Sequence, residues 1–316
     1  GFLHSFYLQD QWMPSNRWVI QSGLRVSYYS ERTGFYTSPR ISVINKMFPN
    51  ITIESSIGKH YQFIHRLTGD KTTRGTQGMW ILSTDKIPNI SSLNIHFGLS
   101  WDFSEYTMTS EFYYRSMDDL IQFKESSIPV TALRNDRGEE ESLINIGSGT
   151  ANGIEFLLRK RKGLITGWLS YQRNKTQYTF PNLNQGKPFF SDHDKTQEFK
   201  SVFMTNIGSW ELTANWVFAS GHVYTDSENV DVENLQIIIS SDRNESRLPP
   251  IHHLDVSFSK TWVVSIAKIH TGLSIYNLYD RNNISHKRYN PYTSELTMTD
   301  VVMFGITPTI FLQISF

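Results

Sequence analysis

Two short segments of the sequence combine histidine with aspartate, residue types that bind metal ions. Residues 192–194 read Asp-His-Asp, and His252 and His253 precede Asp255. Consecutive side chains of an extended segment point in opposite directions, so residues 192–194 cannot all converge on one ion. We predict a solvated loop at 192–194 and a polar network around Asp255, and we expect no metal site at either place.

Motifs for covalent catalysis or phosphate binding are missing from the sequence. There is no Gly-Xaa-Ser-Xaa-Gly nucleophile elbow, so hydrolase chemistry has no support. Gly147, Gly149 and Gly153 are close together, but no helical pattern follows them, which indicates a loop rather than a phosphate cradle. The absence of cysteine excludes disulfides and thiolate metal sites. We predict that the chain is not an enzyme and carries no cofactor.

The elements that position these residues alternate apolar and polar side chains with a period of two. That period is typical of a β-strand with one apolar and one polar face. The last strand follows it without a break and ends on an aromatic residue, as the closing strands of outer-membrane barrels commonly do. We therefore interpret this strand as the C-terminal strand that directs barrel assembly. Its apolar face carries Ile310, Leu312, Ile314 and Phe316.

About thirteen strands can be counted, and their connections alternate between a few residues and roughly 20 to 30 residues. Short periplasmic turns and long extracellular loops are typical of a transmembrane barrel. Charged residues recur on the polar faces, where a dry core would make them costly. They include Glu54, Glu111, Glu155, Lys200, Glu211 and Asp255. The predicted fold is all-β: a transmembrane antiparallel β-barrel with a hydrated interior.

The composition fits this prediction. Aromatic residues make up 14% of the 316 residues and charged residues 19%, and no apolar run approaches the roughly 20 residues of a membrane helix. The formal net charge is zero, so nothing indicates a nucleic-acid partner. We predict a protein of the bacterial outer membrane that contacts its lipid. Because bacterial barrels have an even number of strands, an odd count indicates that residues 1–316 are the C-terminal portion of a larger barrel.

Two segments near the end of the chain carry the motifs of a known family. Residues 247–257 read RLPPIHHLDVS, similar to the stretch LPPYHRLDLS, and residues 273–283 read LSIYNLYDRNN, similar to the strand end LSIYNLYNRKN. In this order and spacing they resemble the TonB-dependent outer-membrane receptors of Bacteroidetes. Further similarities to the same receptors lie at 7–12, 23–25, 38–40, 152–156 and 304–316.

The resemblance implies a 22-stranded barrel occluded by an N-terminal plug, of which this chain supplies about 13 strands. Such receptors import scarce nutrients with energy passed through the TonB complex. The sequence shows no plug domain, no TonB-box segment and no first nine or so strands. The expected partners are therefore an N-terminal plug and barrel portion, on the same or a separate chain, the TonB complex through that portion, and a surface lipoprotein as a lid.

Substrate contacts in such a barrel come from the loops and from the upper interior wall. Five residues near the ends of upward strands point inward, and we predict that they contact the substrate or the plug: His60, Gln62, Tyr113, Arg115 and Tyr276. The substrate class stays open among siderophore, corrinoid, glycan and peptide. Two other functions stay open as well, a small passive porin-like barrel and a structural barrel subunit of an outer-membrane assembly.

Overall fold

The computed structural model describes residues 1–67, 79–123, 144–232, 235–240, 242–289 and 298–315, with the backbone alone at Leu67, Met79, Phe123 and Tyr289 and over 227–232 and 235–240. Within these residues the chain forms twenty-two β-strands, β1 to β22, and one 3-10 turn at Asn184–Gly186. No helix of the described chain is long and apolar enough to cross a membrane. The predicted all-β fold is confirmed.

Thirteen strands follow one another in a single antiparallel sheet. In hydrogen-bonded order they are β1 (Leu3–Ser15), β2 (Trp18–Tyr29), β3 (Gly34–Phe48), β4 (Ile51–Gln62), β7 (Ile90–Phe103), β8 (Tyr106–Phe123), β9 (Ile144–Lys160), β10 (Ile165–Thr179), β12 (Gln197–Ile207), β13 (Trp210–Ala219), β18 (Ile251–Val264), β19 (Ala267–Tyr276) and β22 (Thr307–Ser315). The two-residue strand β11 (Phe189–Phe190) pairs with β10 beside this path. Within the described residues the sheet does not close on itself, and β1 and β22 are its edges.

The register gives the sheet two chemically different faces, because residues directly opposite each other share a face. We call the face that carries Glu111 and its register partners the polar face, and the face that carries Phe112 and its partners the apolar face. Large hydrophobic side chains of the apolar face are exposed; they include Leu93, Ile95, Phe97, Trp101, Phe112, Phe203 and Leu312. An exposed apolar surface of this extent requires an apolar partner such as lipid.

The long connections, which the sequence predicts as loops, contain short hairpins. The paired strands are β5 (Ile64–Leu67) with β6 (Met79–Leu82), β14 (Val223–Tyr224) with β17 (Ser246–Arg247), β15 (Ser227–Val232) with β16 (Leu235–Ser240), and β20 (Ile284–Tyr289) with β21 (Met298–Val302). Strands of two to six residues offer too few alternations to be recognised from a pattern of period two. We call the end of the sheet with these long connections the loop end and the opposite end, with the short connections, the turn end.

Most of the buried hydrophobic residues lie at the loop end. Phe180, Leu183 and Phe189 form one buried cluster, and Ile87 with Ile144 forms another. All five lie at or beyond the loop-end limits of β7, β9 and β10. These clusters therefore fasten the long connections to the wall rather than filling the space beside the sheet.

Candidate functional site

A row of glutamates crosses the polar face. Glu111 lies directly opposite Glu155 on the next strand, and Glu54 belongs to the same row across Gly98. Like charges placed directly opposite each other destabilise a sheet. His96 Nε2 lies 3.4 Å from Glu111 Oε2, within hydrogen-bond distance. The wall thus holds a strip of negative charge, which a positively charged group from outside the described chain could neutralise.

The same row is neutralised at its far end. Lys200 Nζ lies 2.7 Å from Glu198 Oε2, and the Gln172 side-chain amide donates a 2.8 Å hydrogen bond to the same oxygen. In contrast, no basic side chain of the described residues forms an ion pair with Glu54 or Glu155. The unbalanced charge is therefore concentrated on β4, β8 and β9.

Arginines lie on the polar face closer to the loop end. Arg40 on β3 and Arg115 on β8 belong to one row, which runs through Gly58 and Asn94. Arg115 Nε donates a 2.8 Å hydrogen bond to Asn94 Oδ1. Among the described residues, no carboxylate pairs with either arginine or with Arg25. On β8 the polar face therefore carries Arg115 four residues closer to the loop end than Glu111.

A polar concavity of about 530 Å³ opens on the polar face beside these arginines. Its lining includes Gln9, Arg40, His60 and Asn94, and Arg40 Nη2 donates a 2.7 Å hydrogen bond to Gln9 Oε1. At Gly58, a Cβ would lie 3.2 Å from His60 Nε2 and 3.3 Å from Arg40 Cβ. The glycine therefore leaves room for both side chains to lie along the wall, where they offer hydrogen-bond donors to an anionic or carbonyl group.

Four of the five predicted contact residues lie on this part of the polar face. His60 and Gln62 lie two residues apart on β4, and Tyr113 and Arg115 lie two residues apart on β8, two strands away. The Gln62 amide donates to the Ile64 carbonyl at 2.6 Å, so one of its donors is already used. The fifth residue, Tyr276, is not part of this group. It lies on β19.

Sequence reasoning missed Arg25, Arg40 and Asn94 as members of this group. The face of the sheet on which each of these residues lies could be predicted from the sequence, because polar and apolar residues alternate along the strand. The pairing that joins Arg40 and Arg115 in one row could not be read, because register between strands depends on the turns and the packing of the whole sheet. The role of all these residues stays a prediction.

The segment 192–194 differs from its predicted state as a solvated loop. The Asp194 side chain is fully buried and lies 2.7 Å from Arg247 Nη2, and Asp194 also accepts a 3.0 Å hydrogen bond from the Thr176 backbone N–H. Asp192 accepts from the Asn244 amide at 2.7 Å and lies 3.4 Å from Arg243. The prediction was wrong because the cations lie about fifty residues further along the chain.

These two aspartates stabilise the loop end electrostatically. Asp192 also acts on Tyr178, whose pKa is raised above its ordinary value, first by burial and then by this carboxylate. No group of three or more histidine, cysteine, aspartate or glutamate side chains in the described part of the chain could hold a metal ion. The segment therefore anchors the loops to the wall.

The predicted polar network around Asp255 is present. Asp255 accepts hydrogen bonds from His253 Nδ1 at 2.9 Å and from the Asn277 backbone N–H at 2.9 Å. The ring of Tyr276 lies 4.7 Å from that of His253, so this predicted contact residue belongs to the network. His252 points to the other face, where its Nδ1 lies 2.7 Å from the Tyr279 hydroxyl. The two histidines therefore serve different surfaces.

The C-terminal strand has the predicted alternation. Ile310, Leu312 and Ile314 lie on the apolar face and are exposed, with 64% of Leu312 accessible. Phe316 lies outside the described residues. The function of this strand in assembly is not tested by its geometry and stays a prediction.

A wide antiparallel sheet with one polar face and one exposed apolar face is the wall of a membrane β-barrel. The family model described as "TonB dependent receptor-like, beta-barrel" matches residues 3–278. The chain therefore belongs to the TonB-dependent receptor-like β-barrel family, and it lies in the bacterial outer membrane. In such a barrel the apolar face meets lipid, the polar face lines the interior, the turn end is periplasmic and the loop end is extracellular.

Solved structures share this fold over nearly the whole chain. The ferric yersiniabactin uptake receptor FyuA from Yersinia pestis is 13% identical, with a TM-score of 0.64, and the match covers 98% of this chain and 45% of that chain. The outer membrane transporter YddB from Escherichia coli is 10% identical, with a TM-score of 0.66 and coverages of 99% and 44%. The copper transporter OprC is 13% identical, with a TM-score of 0.66 and coverages of 97% and 46%.

The chain thus spans less than half the length of these structures. No match was found among curated protein sequences. At identities of 10% to 13% the likeness concerns the fold, and it carries neither a substrate nor a partner to this chain.

Proposed function

We propose that this chain is the C-terminal part of the barrel of a TonB-dependent transporter that imports a scarce nutrient across the outer membrane. The family match over residues 3–278 is the observation that carries the proposal. Thirteen antiparallel strands make β1 and β22 run in the same direction, so an odd number of further strands is needed to close the wall. Nine such strands would complete the 22-stranded barrel expected for a large transporter.

The missing strands and a plug domain belong to an N-terminal portion, on the same or a separate chain, through which the TonB complex would act. The charged residues on the polar face of β3, β4, β8 and β9 support a role in holding that plug. Glu54 and Glu155 have no described ion-pair partner and would bind basic groups of a plug, while Arg40 and Arg115 would bind carboxylates or carbonyls.

Contact with substrate or plug is proposed for His60, Gln62, Tyr113, Arg115 and Tyr276. Among the similar structures, one is titled a ferric yersiniabactin uptake receptor and another a copper transporter. For this chain we keep siderophore, corrinoid, glycan and peptide as substrate classes. We also propose a Bacteroidetes-type receptor, on the motifs at 247–257 and 273–283, with a surface lipoprotein lid. The chain itself has no catalytic role in this proposal.

Growth on a limiting nutrient tests the proposal. Cells that carry the intact protein should take up the nutrient only while TonB is functional. The double variant Arg40→Ala/Arg115→Ala should lower uptake about tenfold or more, since each lost charged hydrogen bond contributes about 1.5–3 kcal/mol. Arg17→Ala, in the short turn before β2, is the matched control and should leave uptake unchanged.

Two outcomes would overturn the proposal in favour of the alternatives. A steady open pore in a planar bilayer, independent of TonB, would identify a passive porin-like barrel. Stable recovery of the chain with partners that have no part in transport, together with normal growth after its deletion on every nutrient tried, would identify a structural subunit of an outer-membrane assembly.

A further inference from the structure

Two basic residues lie on the apolar face of the sheet, on the side that meets lipid. Arg173 and Lys175 on β10 share this face with Ile165, Leu169 and Tyr171, because they are separated from them by even numbers of residues. The register agrees, since Arg173 lies opposite Ile154 of β9. Both basic residues are exposed.

Their height along the strand places them at the outer boundary of the membrane. Ile165 begins β10 at the turn end and is 51% exposed, and Arg173 follows eight residues later. Eight residues of a strand tilted by about 40° rise about 20 Å, and the apolar band of such barrels is about 25 Å tall. Polar neighbours mark the same level, since Gln197 lies opposite Arg173 and Asn152 lies opposite Lys175.

Within the described residues neither cation has an acidic partner. No carboxylate forms an ion pair with Arg173 or Lys175, whereas nearby Lys195 lies 4.0 Å from Glu198 and Arg247 lies 2.7 Å from Asp194. Lys175 Nζ lies 5.9 Å from the centre of the Phe190 ring, a contact that leaves its charge uncompensated. Two positive charges are thus held at the level of the lipid headgroups.

Another lipid-facing lysine, Lys260, lies closer to the turn end and differs from Arg173 and Lys175 in its aromatic contacts. Lys260 Nζ lies 3.8 Å from the centre of the Trp262 ring and 5.2 Å from that of Trp210. Two indole faces satisfy this cation within the protein. Arg173 has no such contact with an aromatic ring of the described residues, and its planar fork is suited to bind a phosphate group through two parallel hydrogen bonds.

We propose that Arg173 and Lys175 form a binding site for the phosphate group of a phosphorylated lipid in the outer leaflet. Side chains two residues apart on one strand start about 6.6 Å apart, so both cations reach one headgroup. The Arg173 guanidinium binds the phosphate in a bidentate manner, and Lys175 adds a point charge from above. Tyr171 lies two residues before Arg173 on the same face of β10, closer to the turn end, and its aromatic ring faces the same lipid.

Native mass spectrometry of the intact, detergent-purified protein tests this site, with bis-phosphorylated lipid A as the probe. The wild type should retain the lipid, and Arg173→Gln/Lys175→Gln should bind it about twenty-fivefold more weakly, at about fivefold for each cation lost near an anionic surface. Lys260→Gln is the matched control and should bind as the wild type does. If the double variant does not assemble, Arg173→Gln alone should show the fivefold loss.

Two further arms identify the ligand. Lipid A without phosphate should bind the wild type as weakly as the double variant binds the phosphorylated lipid, and inorganic phosphate should not displace the bound lipid. Equal binding of both lipids, or equal binding by wild type and double variant, would overturn the proposal. Displacement by inorganic phosphate would overturn it too, since the site would then take a soluble anion.

Discussion

The Arg247 guanidinium lies 2.7 Å from the Asp194 carboxylate, fifty-three residues away in the chain. The pair joins the connection before β12 to the strand that leads into β18. Arg247 also donates to the Gly221 carbonyl at 2.8 Å, and Asp194 accepts from the Thr196 hydroxyl at 3.0 Å. This hydrogen-bonded ion pair therefore holds two of the long extracellular connections against the same part of the wall.

Removing one member of this pair should release both connections. We expect Asp194→Ala to destabilise the loop end by about 3–5 kcal/mol, because a partly buried arginine loses its partner. Limited proteolysis should then cut within 180–195 or 220–250 much faster than in the wild type. Arg161→Ala breaks an exposed ion pair with Asp102 and should cost about 0–1 kcal/mol. Equal protease sensitivity of both variants would contradict the assigned role.

The hairpin formed by β5 and β6 should weaken in acid. His65 is buried, and its Nε2 lies 2.7 Å from the hydroxyl of Ser83, which donates to the Pro88 carbonyl. His65 Nε2 therefore carries the hydrogen, and Nδ1 has no partner among the described residues. Burial lowers the pKa of His65 below its ordinary 6.5, and the Pro88 carbonyl only partly opposes the shift; no charged group contributes to it.

The sign of the pH effect follows from that lowered pKa. Above about pH 6.5 the open and closed hairpins are both neutral at His65, so the hairpin keeps its full stability. As the pH falls below this value the open form takes up a proton that the closed form excludes, and stability decreases. Hydrogen exchange of the Ser83 amide, corrected for intrinsic rates, should show this loss. His65→Gln should remove the pH dependence, and exposed His286→Gln should leave it in place.

Adjacent positions of the last strand should respond oppositely to one substitution. Leu312 faces lipid, and Gln313 lies on the polar face opposite His270. We expect Leu312→Arg to cost up to about 2–4 kcal/mol, because an arginine on the lipid-facing side is desolvated, whereas Gln313→Arg should cost little. Urea unfolding of the intact protein in lipid vesicles gives both values. A similar cost for the two variants would mean that the faces are wrongly assigned.

Glycine at position 153 should control the position of Tyr113. A Cβ at Gly153 would lie 2.7 Å from the Tyr113 ring, so Gly153→Ala should push the ring away from the wall. If Tyr113 contacts the ligand or the plug, Gly153→Ala should lower the affinity for that ligand or plug about as much as Tyr113→Ala does. The double variant Gly153→Ala/Tyr113→Ala should lower this affinity no further. Gly98→Ala, whose Cβ would lie 3.3 Å from His96, is the control with little effect. Additive losses would show that Gly153 acts independently of Tyr113.

Local properties of the chain could be predicted from the sequence. The alternation of Leu93, Ile95 and Phe97 with polar residues predicts a strand with two faces, because side-chain direction along a strand depends only on the local backbone. The same holds for Ile310 and Leu312. The spacing of the connections also predicts a membrane barrel, and the motifs near the C-terminus indicate the family. Both signals are local features of the sequence.

Relations between distant residues were decided by the tertiary structure alone. Nothing in the sequence pairs Asp194 with Arg247, His65 with Ser83, or Arg40 with the row of Arg115, because such contacts depend on strand register and on how the long connections fold back. The aspartate segment predicted as a solvated loop became a buried anchor for this reason. Period-two alternation assigns each residue to a face, and only the packing of the whole sheet determines its neighbours.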